Sequence, residues 1–168
     1  MGGIASGKST AAKILGKWGA RVVDADRIAH QVLKAPGIAS DLRREFGPEI
    51  FDSDGNVRHN VLGEQVFGKP DRLKRLNSIV HPPILKRMER QVEEARAGNA
   101  PLVVVDAALL LEKELDRQYC DAVLFLDVPL EERVRRAKTH RDWDEEELTR
   151  REKAQMDVAE KKARADYV

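Results

Sequence analysis

At 168 residues the chain is long enough for one domain with a sizeable core and a small inserted subdomain. Charged residues make up 35% yet the net charge is only +1, and aromatics are 5%, a balance that argues against nucleic-acid binding as the main activity. One cysteine, Cys120, leaves no internal disulfide, and no apolar run reaches membrane-spanning length. A cytoplasmic monomer without a membrane or nucleic-acid partner is expected.

The first ten residues, MGGIASGKST, carry the strongest pattern. Gly2, Gly7, Lys8 and Ser9 fit G-x-x-x-x-G-K-[ST], the phosphate-binding P-loop. Glycines let the backbone curl so that successive N–H groups point at one centre. Lys8 adds a mobile positive charge for β- and γ-phosphates, and the Ser9 hydroxyl is placed to ligate Mg²⁺. A helix is predicted from Lys8, with Ala11, Ala12, Ile14, Leu15 and Trp18 as its apolar stripe and Gly19 as its stop. Only Met1 precedes Gly2, so the buried strand that a P-loop normally follows is expected to be missing from this chain.

Ala20 to Val23 reads as a short strand ending in Asp24-Ala25-Asp26. Carboxylates at the end of such a strand are candidates for chemistry. One is expected to cap the helix starting at Arg27, and Asp26 is the candidate general base for a hydroxyl nucleophile. Residues 27–46 look helical, broken near Pro36-Gly37, with stripes Ile28, Val32, Leu33 and Ile38, Leu42, Phe46. Gly47-Pro48 ends that run, and Asp54-Gly55 signals a plain hairpin or loop turn. Two short helices follow at 60–67 and 71–79. Val80-His81-Pro82-Pro83 then reads as a break before a long amphipathic helix at about 84–97. His81, at that break, is a candidate ligand-contacting residue.

Residues 102–106, LVVVD, look like a central parallel strand buried on both faces. Its terminal Asp106 resembles the acidic residue that approaches Mg²⁺ through water in P-loop enzymes. A further strand is predicted at 122–126 and a helix at 130–139, opened by Pro129. Cys120, just before that strand, is read as a structural, partly buried thiol. Arginines are dense from here on: Arg133, Arg135, Arg136, Arg141, Arg150 and Arg151. They suit a lid whose guanidiniums neutralise phosphate charge. Between them lies DWDEEE, expected to cap a helix starting near Asp144, with one charged helix over 145–165. Ala165 to Val168 looks like the first residues of another strand. The alternation of strands and helices predicts α/β with a parallel sheet.

Taken together, these landmarks resemble the dephospho-CoA kinase family, in the P-loop kinase superfamily. They are GGIASGKST at 2–10, DADRIAHQVL at 24–33, FG and DGNVR within 46–58, VLGEQVF at 61–67, HPPI at 81–84, LLLE at 109–112, REKAQM at 151–156 and ADYV at 165–168. Asp106-Ala107-Ala108 stands where the family commonly has a proline-containing stretch.

The resemblance implies a P-loop kinase-like parallel sheet flanked by helices, in one domain over 1–168. Its core would be 1–26 and 99–130, its helical CoA-binding insertion about 27–98, and its arginine-rich lid with the following helix about 131–165. It implies transfer of the ATP γ-phosphate to the 3′-hydroxyl of dephospho-CoA, with Mg²⁺. Gly3, Ile4, Ala5, Ser6, Gly7, Lys8, Ser9 and Thr10 would bind ATP, and Ser9 and Asp106 would hold the metal. Asp26, Lys8, Arg136 and Arg141 would be catalytic, and Asp26, His81 and Arg151 would contact the substrate. Another small-molecule kinase of the superfamily and a non-catalytic nucleotide-binding module are the alternatives.

Overall fold

A computed structural model describes residues 1–107, 120–153 and 155–168. The LLLE stretch at 109–112 and Ala154 of REKAQM lie outside them. The chain divides into two compact units, one of residues Met1–Val23 and Ala95–Val168, the other of residues Asp24–Glu94.

In the first unit, α1 (Lys8–Lys17) follows the glycine-rich loop and packs on β2 (Val103–Asp106), which pairs with β1 (Arg21–Asp24). Arg21 N–H donates to Leu102 O at 2.9 Å. β2 is half-buried at all four positions, not buried on both faces as its composition predicted; among the described residues it pairs with β1. The segment expected as a strand at 122–126 instead forms single parallel bridges. Leu126 pairs with Gly2 on one side and Leu124 with Tyr167 on the other. Leu126 N–H donates to Met1 O at 2.6 Å and Phe125 N–H to Tyr167 O at 2.8 Å. Val123 and Phe125 are buried while Leu124 is exposed, the alternation of a segment with one packed face. The bridges place Met1-Gly2 and Tyr167 on opposite sides of this segment.

Three helices follow. α6 (Leu130–Arg141) begins after Pro129, which sits at the N-cap. α7 (Glu145–Glu152) is capped by Asp144, whose carboxylate accepts from Glu147 N–H at 2.8 Å. The single helix expected over 145–165 is two. A second start, α8 (Val158–Ala163), is set by Asp157, whose side chain accepts from the N–H groups of Ala159 and Glu160. An aspartate offering its oxygen to N–H groups two and three residues on is a stronger start signal than the sparse apolar pattern was a continuation signal.

The second unit is helical. α2 (Ala25–Leu33) starts two residues earlier than expected, capped by Asp24, which accepts from Arg27 N–H at 2.9 Å. Its boundary with α3 (Pro36–Phe46) falls at Lys34-Ala35, so Pro36 is the first residue of α3, where its missing N–H costs nothing. A 3-10 turn at Pro48–Ile50, a hairpin closed by a Phe51–Val57 bridge, and α4 (His59–Val66) complete one side of the core. Leu42, Phe46, Ile50, Phe51, Leu62, Val66 and Val80 form that core.

The largest departure from expectation is α5 (Pro70–Ala97), one 28-residue helix with Pro82 and Pro83 inside it. The break expected at Val80-His81-Pro82-Pro83 does not occur. Each proline removes a donor and presses on the preceding turn, a cost of about 3 kcal/mol in a helix interior. An unbroken apolar row offsets it: Leu76, Val80, Ile84, Met88 and Val92 recur every fourth residue through the prolines, with Val80, Met88 and Val92 buried. A break would turn half of that row away from the core. Packing overrides propensity here, and His81 lies in mid-helix, half-buried.

No helix among the described residues is long and apolar enough to cross a membrane. Leu42 is fully buried at the centre of the helical core. Leu42→Ala is therefore expected to lower unfolding free energy by about 2–5 kcal/mol in urea denaturation of the whole chain followed by circular dichroism.

Candidate active site

The glycine-rich loop owes its shape to backbone angles that ordinary residues avoid. Gly2, Ala5 and Gly7 have φ of 149°, 60° and 91°. Gly7 is the N-cap of α1 in the left-handed region and offers no side chain to cap the helix. The first turn, Lys8, Ser9 and Thr10, carries no acidic residue, and Ser9 and Thr10 are exposed. Free N–H groups, a helix dipole and no competing carboxylate make this end a receptor for an anion. Ser6 is buried, and its Oγ has no hydrogen-bond partner among the described residues.

Lys8 folds back over the loop. Its Nζ donates to Gly3 O at 2.8 Å and Gly2 O at 3.2 Å. Burial pulls its ammonium below the ordinary 10.5; the Asp106 carboxylate opposes this, Lys161 and Arg141 add to it, and Glu152 opposes it. The structure thus brings Asp106 and Arg141 each within electrostatic reach of Lys8.

Arg136, on α6, also reaches the loop. Its Nη1 donates to Ser6 O at 3.4 Å, and a Cβ added at Gly7 would lie 3.4 Å from the same nitrogen. Its Nε donates to Glu132 at 2.7 Å. Hydrogen bonds from Arg135 and then Arg136 hold the half-buried Glu132 carboxyl down to about 2, so it stays ionised at any working pH. Arg141 and Arg151 meet on opposite helices over one ring. Their guanidinium carbons lie 4.8 and 4.0 Å from the centroid of Trp143. Arg151 is further tied to Glu147 at 2.6 Å.

Asp26 and His81 belong to the other unit. Asp26 is exposed in the first turn of α2, two residues beyond the capping Asp24, and His81 is in mid-α5. Asp106 is half-buried at the end of β2.

Three side chains at the loop escaped the sequence reading. Lys161 on α8 is buried and donates to Gln155 at 2.8 Å. Trp143 organises two arginines. Glu152 on α7 accepts from Ile4 N–H at 2.8 Å and from Arg133 at 2.5 Å. Trp143 lies in the acidic run DWDEEE and Glu152 in REKAQM, and neither pattern marks a partner on another element.

Fold and loop together define a P-loop α/β protein of the kinase-like kind. The family model described as dephospho-CoA kinase matches residues 1–168. The chain belongs to the dephospho-CoA kinase family. It is 41% identical over 111 residues to a dephospho-CoA kinase of Dehalococcoides mccartyi, a match covering 66% of this chain and 56% of that one. It is 35% identical over 168 residues to the Latilactobacillus sakei dephospho-CoA kinase, covering 99% of this chain and 82% of the relative. A crystal structure from Thermus thermophilus superposes with a TM-score of 0.86 at 38% identity, covering 99% of this chain and 83% of that one.

The displaced proton affinity of Lys8 has a measurable consequence. Its folded pKa lies below the unfolded 10.5, so between the two values the unfolded chain binds more protons and stability rises with pH. Without nucleotide, the wild-type chain is expected to gain stability relative to Lys8→Met as pH climbs toward 10.5. Denaturant melts of both proteins across alkaline pH check this; parallel profiles would show an unperturbed Lys8.

Proposed function

We propose that the chain phosphorylates the 3′-hydroxyl of dephospho-CoA with ATP, giving coenzyme A and ADP. The observation that carries the reading is the uncapped, cation-ringed glycine loop in a chain of this family. In this reading the N–H groups from Ala5 to Thr10 bind the phosphates, and Gly3 and Ile4 shape the loop. Lys8 leaves the carbonyls of Gly2 and Gly3 for the β- and γ-phosphates. Arg136, already at the loop, and Arg141 neutralise charge that grows on the transferred group.

Mg²⁺ suits the oxygen donors present. Ser9 offers an exposed hydroxyl in the first turn of α1, and Asp106 a carboxylate close enough to act on the charge of Lys8. Magnesium typically takes one or two such protein groups plus phosphate oxygens, and when bound it neutralises developing phosphate charge.

Asp26 acts as the general base. As the acceptor oxygen bonds to the γ-phosphorus, the bond to the β–γ bridging oxygen breaks, ADP leaves, and the hydroxyl proton passes to the Asp26 carboxylate. It lies exposed in the first turn of α2, just past β1 in the chain. His81 and Arg151 contact the CoA moiety.

The deciding assay is ADP release with Mg²⁺-ATP and dephospho-CoA, against adenosine, shikimate and gluconate as acceptors. Selective turnover with dephospho-CoA is expected. Asp26→Asn is expected to lower kcat by about 10²–10⁴-fold while leaving ATP affinity intact. Full turnover in Asp26→Asn would remove the base from the scheme, and turnover with a different acceptor alone would reassign the substrate.

A further inference from the structure

We infer that Arg133 and Glu152 form a positioning pair that sets the glycine loop, and with it nucleotide affinity, from the side of α6 and α7; the inference rests on the phosphate-binding reading of that loop. The pair is nearly dry, with side chains 7% and 17% exposed. It is also non-local, joining residues 19 apart. The neighbouring ion pairs on α6 and α7 are different in kind. Arg135 with Glu132, and Arg150 with Glu147, are pairs three residues apart along one helix with arginines largely in water. Such pairs add little to stability and fix nothing distant.

Arg133 and Glu152 instead grip both polar groups of one loop residue. Ile4 N–H donates to Glu152 Oε1 at 2.8 Å, and Arg133 Nη1 donates to Ile4 O at 3.4 Å. The same Nη1 donates to Glu152 Oε1, and Nε donates to Val128 O at 3.1 Å. The guanidinium is thereby anchored at the end of the bridged segment that precedes α6. The grip is also close to the loop backbone. A Cβ on Gly3 would stand 2.6 Å from Arg133 Nη1 and 2.8 Å from Glu152 Oε1, so a larger residue there would have to displace the ends of both side chains.

The consequence follows from where Ile4 sits. The next residue, Ala5, holds a left-handed φ of 60°, and Gly7 turns again before α1. Ile4 is the last fixed point before the turn that aims the following N–H groups. A loop pinned at Ile4 presents those groups in one arrangement before any phosphate arrives, which lowers the ordering cost of binding. A buried ion pair is weak evidence for net stability, and in some proteins it serves to specify one geometry. The pair also links the loop to α7, in which Arg151, the residue before Glu152, stacks on Trp143.

The test uses Glu152→Ala, Glu152→Gln and Arg133→Lys in the full chain. Its readouts are Mg²⁺-ATP binding by calorimetry, the KM of each substrate, and hydrogen exchange at the Ile4 amide. Glu152→Ala is expected to lose Ile4 protection and weaken ATP binding on the order of tenfold to a hundredfold, with the KM for dephospho-CoA unchanged. Glu152→Gln keeps an oxygen for Ile4 N–H and is expected to restore most of both. Arg133→Lys keeps the charge but not the fork. It is expected to show the same ATP-selective loss, and it decides the matter should Glu152→Ala fail to fold. ATP affinity at the wild-type level in folded Glu152→Ala or Arg133→Lys would overturn the inference. So would an equal rise in both KM values, which marks general damage. A wild-type chain that binds no ATP would instead overturn the phosphate reading, and the inference with it.

Discussion

An ammonium group held out of water beside other cations constrains everything built around it. Lys8 is pressed over the glycine loop with Arg136 at the same loop and Arg141 and Lys161 within electrostatic reach. Desolvation and like-charge repulsion both penalise that arrangement. Asp106 and Glu152 offset it in part. In the proposed reading that penalty becomes attraction for an anion, since a polyphosphate would relieve the repulsion and accept the hydrogen bonds that Lys8 gives to the carbonyls of Gly2 and Gly3. The uncapped N-terminus of α1 adds to the same field.

The supporting elements answer that constraint at different ranges. Locally, Gly7 in the left-handed region lets the chain enter α1 without a capping side chain that would occupy the anion site. At medium range, Glu132 ties Arg136 along one helix, so its guanidinium reaches Ser6 O in a fixed pose. At long range, Arg133 and Glu152 hold Ile4 from two helices. Trp143 gathers Arg141 and Arg151 without cancelling their charge. Its ring face attracts both guanidiniums, and Arg151 is held by the Glu147 carboxylate as well.

Much of this was legible in the amino-acid order where the signal is local. The loop, α1, the Asp24 and Asp144 caps, and the turn at Asp54-Gly55 depend on residues within a few positions of each other, and the expected local structure of each appears. The misreadings come from competition between local and distant terms. Pro82-Pro83 reads as a stop because proline lacks a donor, yet the buried row through Val80, Met88 and Val92 keeps α5 whole. The helix expected over 145–165 divides because Asp157 caps a new start. Glu152 could not be distinguished at all. It lies in a segment where nearly every arginine has a glutamate three or four residues away, so a partner on another helix leaves no periodic trace.

That difference between local and distant pairs bears on how the two kinds of arginine serve one site. Arg136 has a same-helix partner held ionised by its own hydrogen bonds, and in the proposed reading it would turn part of that contact toward a phosphate oxygen. Arg133 has no such freedom: its fork is committed to Glu152, Val128 O and Ile4 O in a dry setting, where leaving any partner unmatched costs the full desolvation of a charge. A chain with six arginines between 133 and 151 therefore divides their labour by burial. The buried one shapes the loop, and the more exposed ones remain able to move toward charge that appears within it.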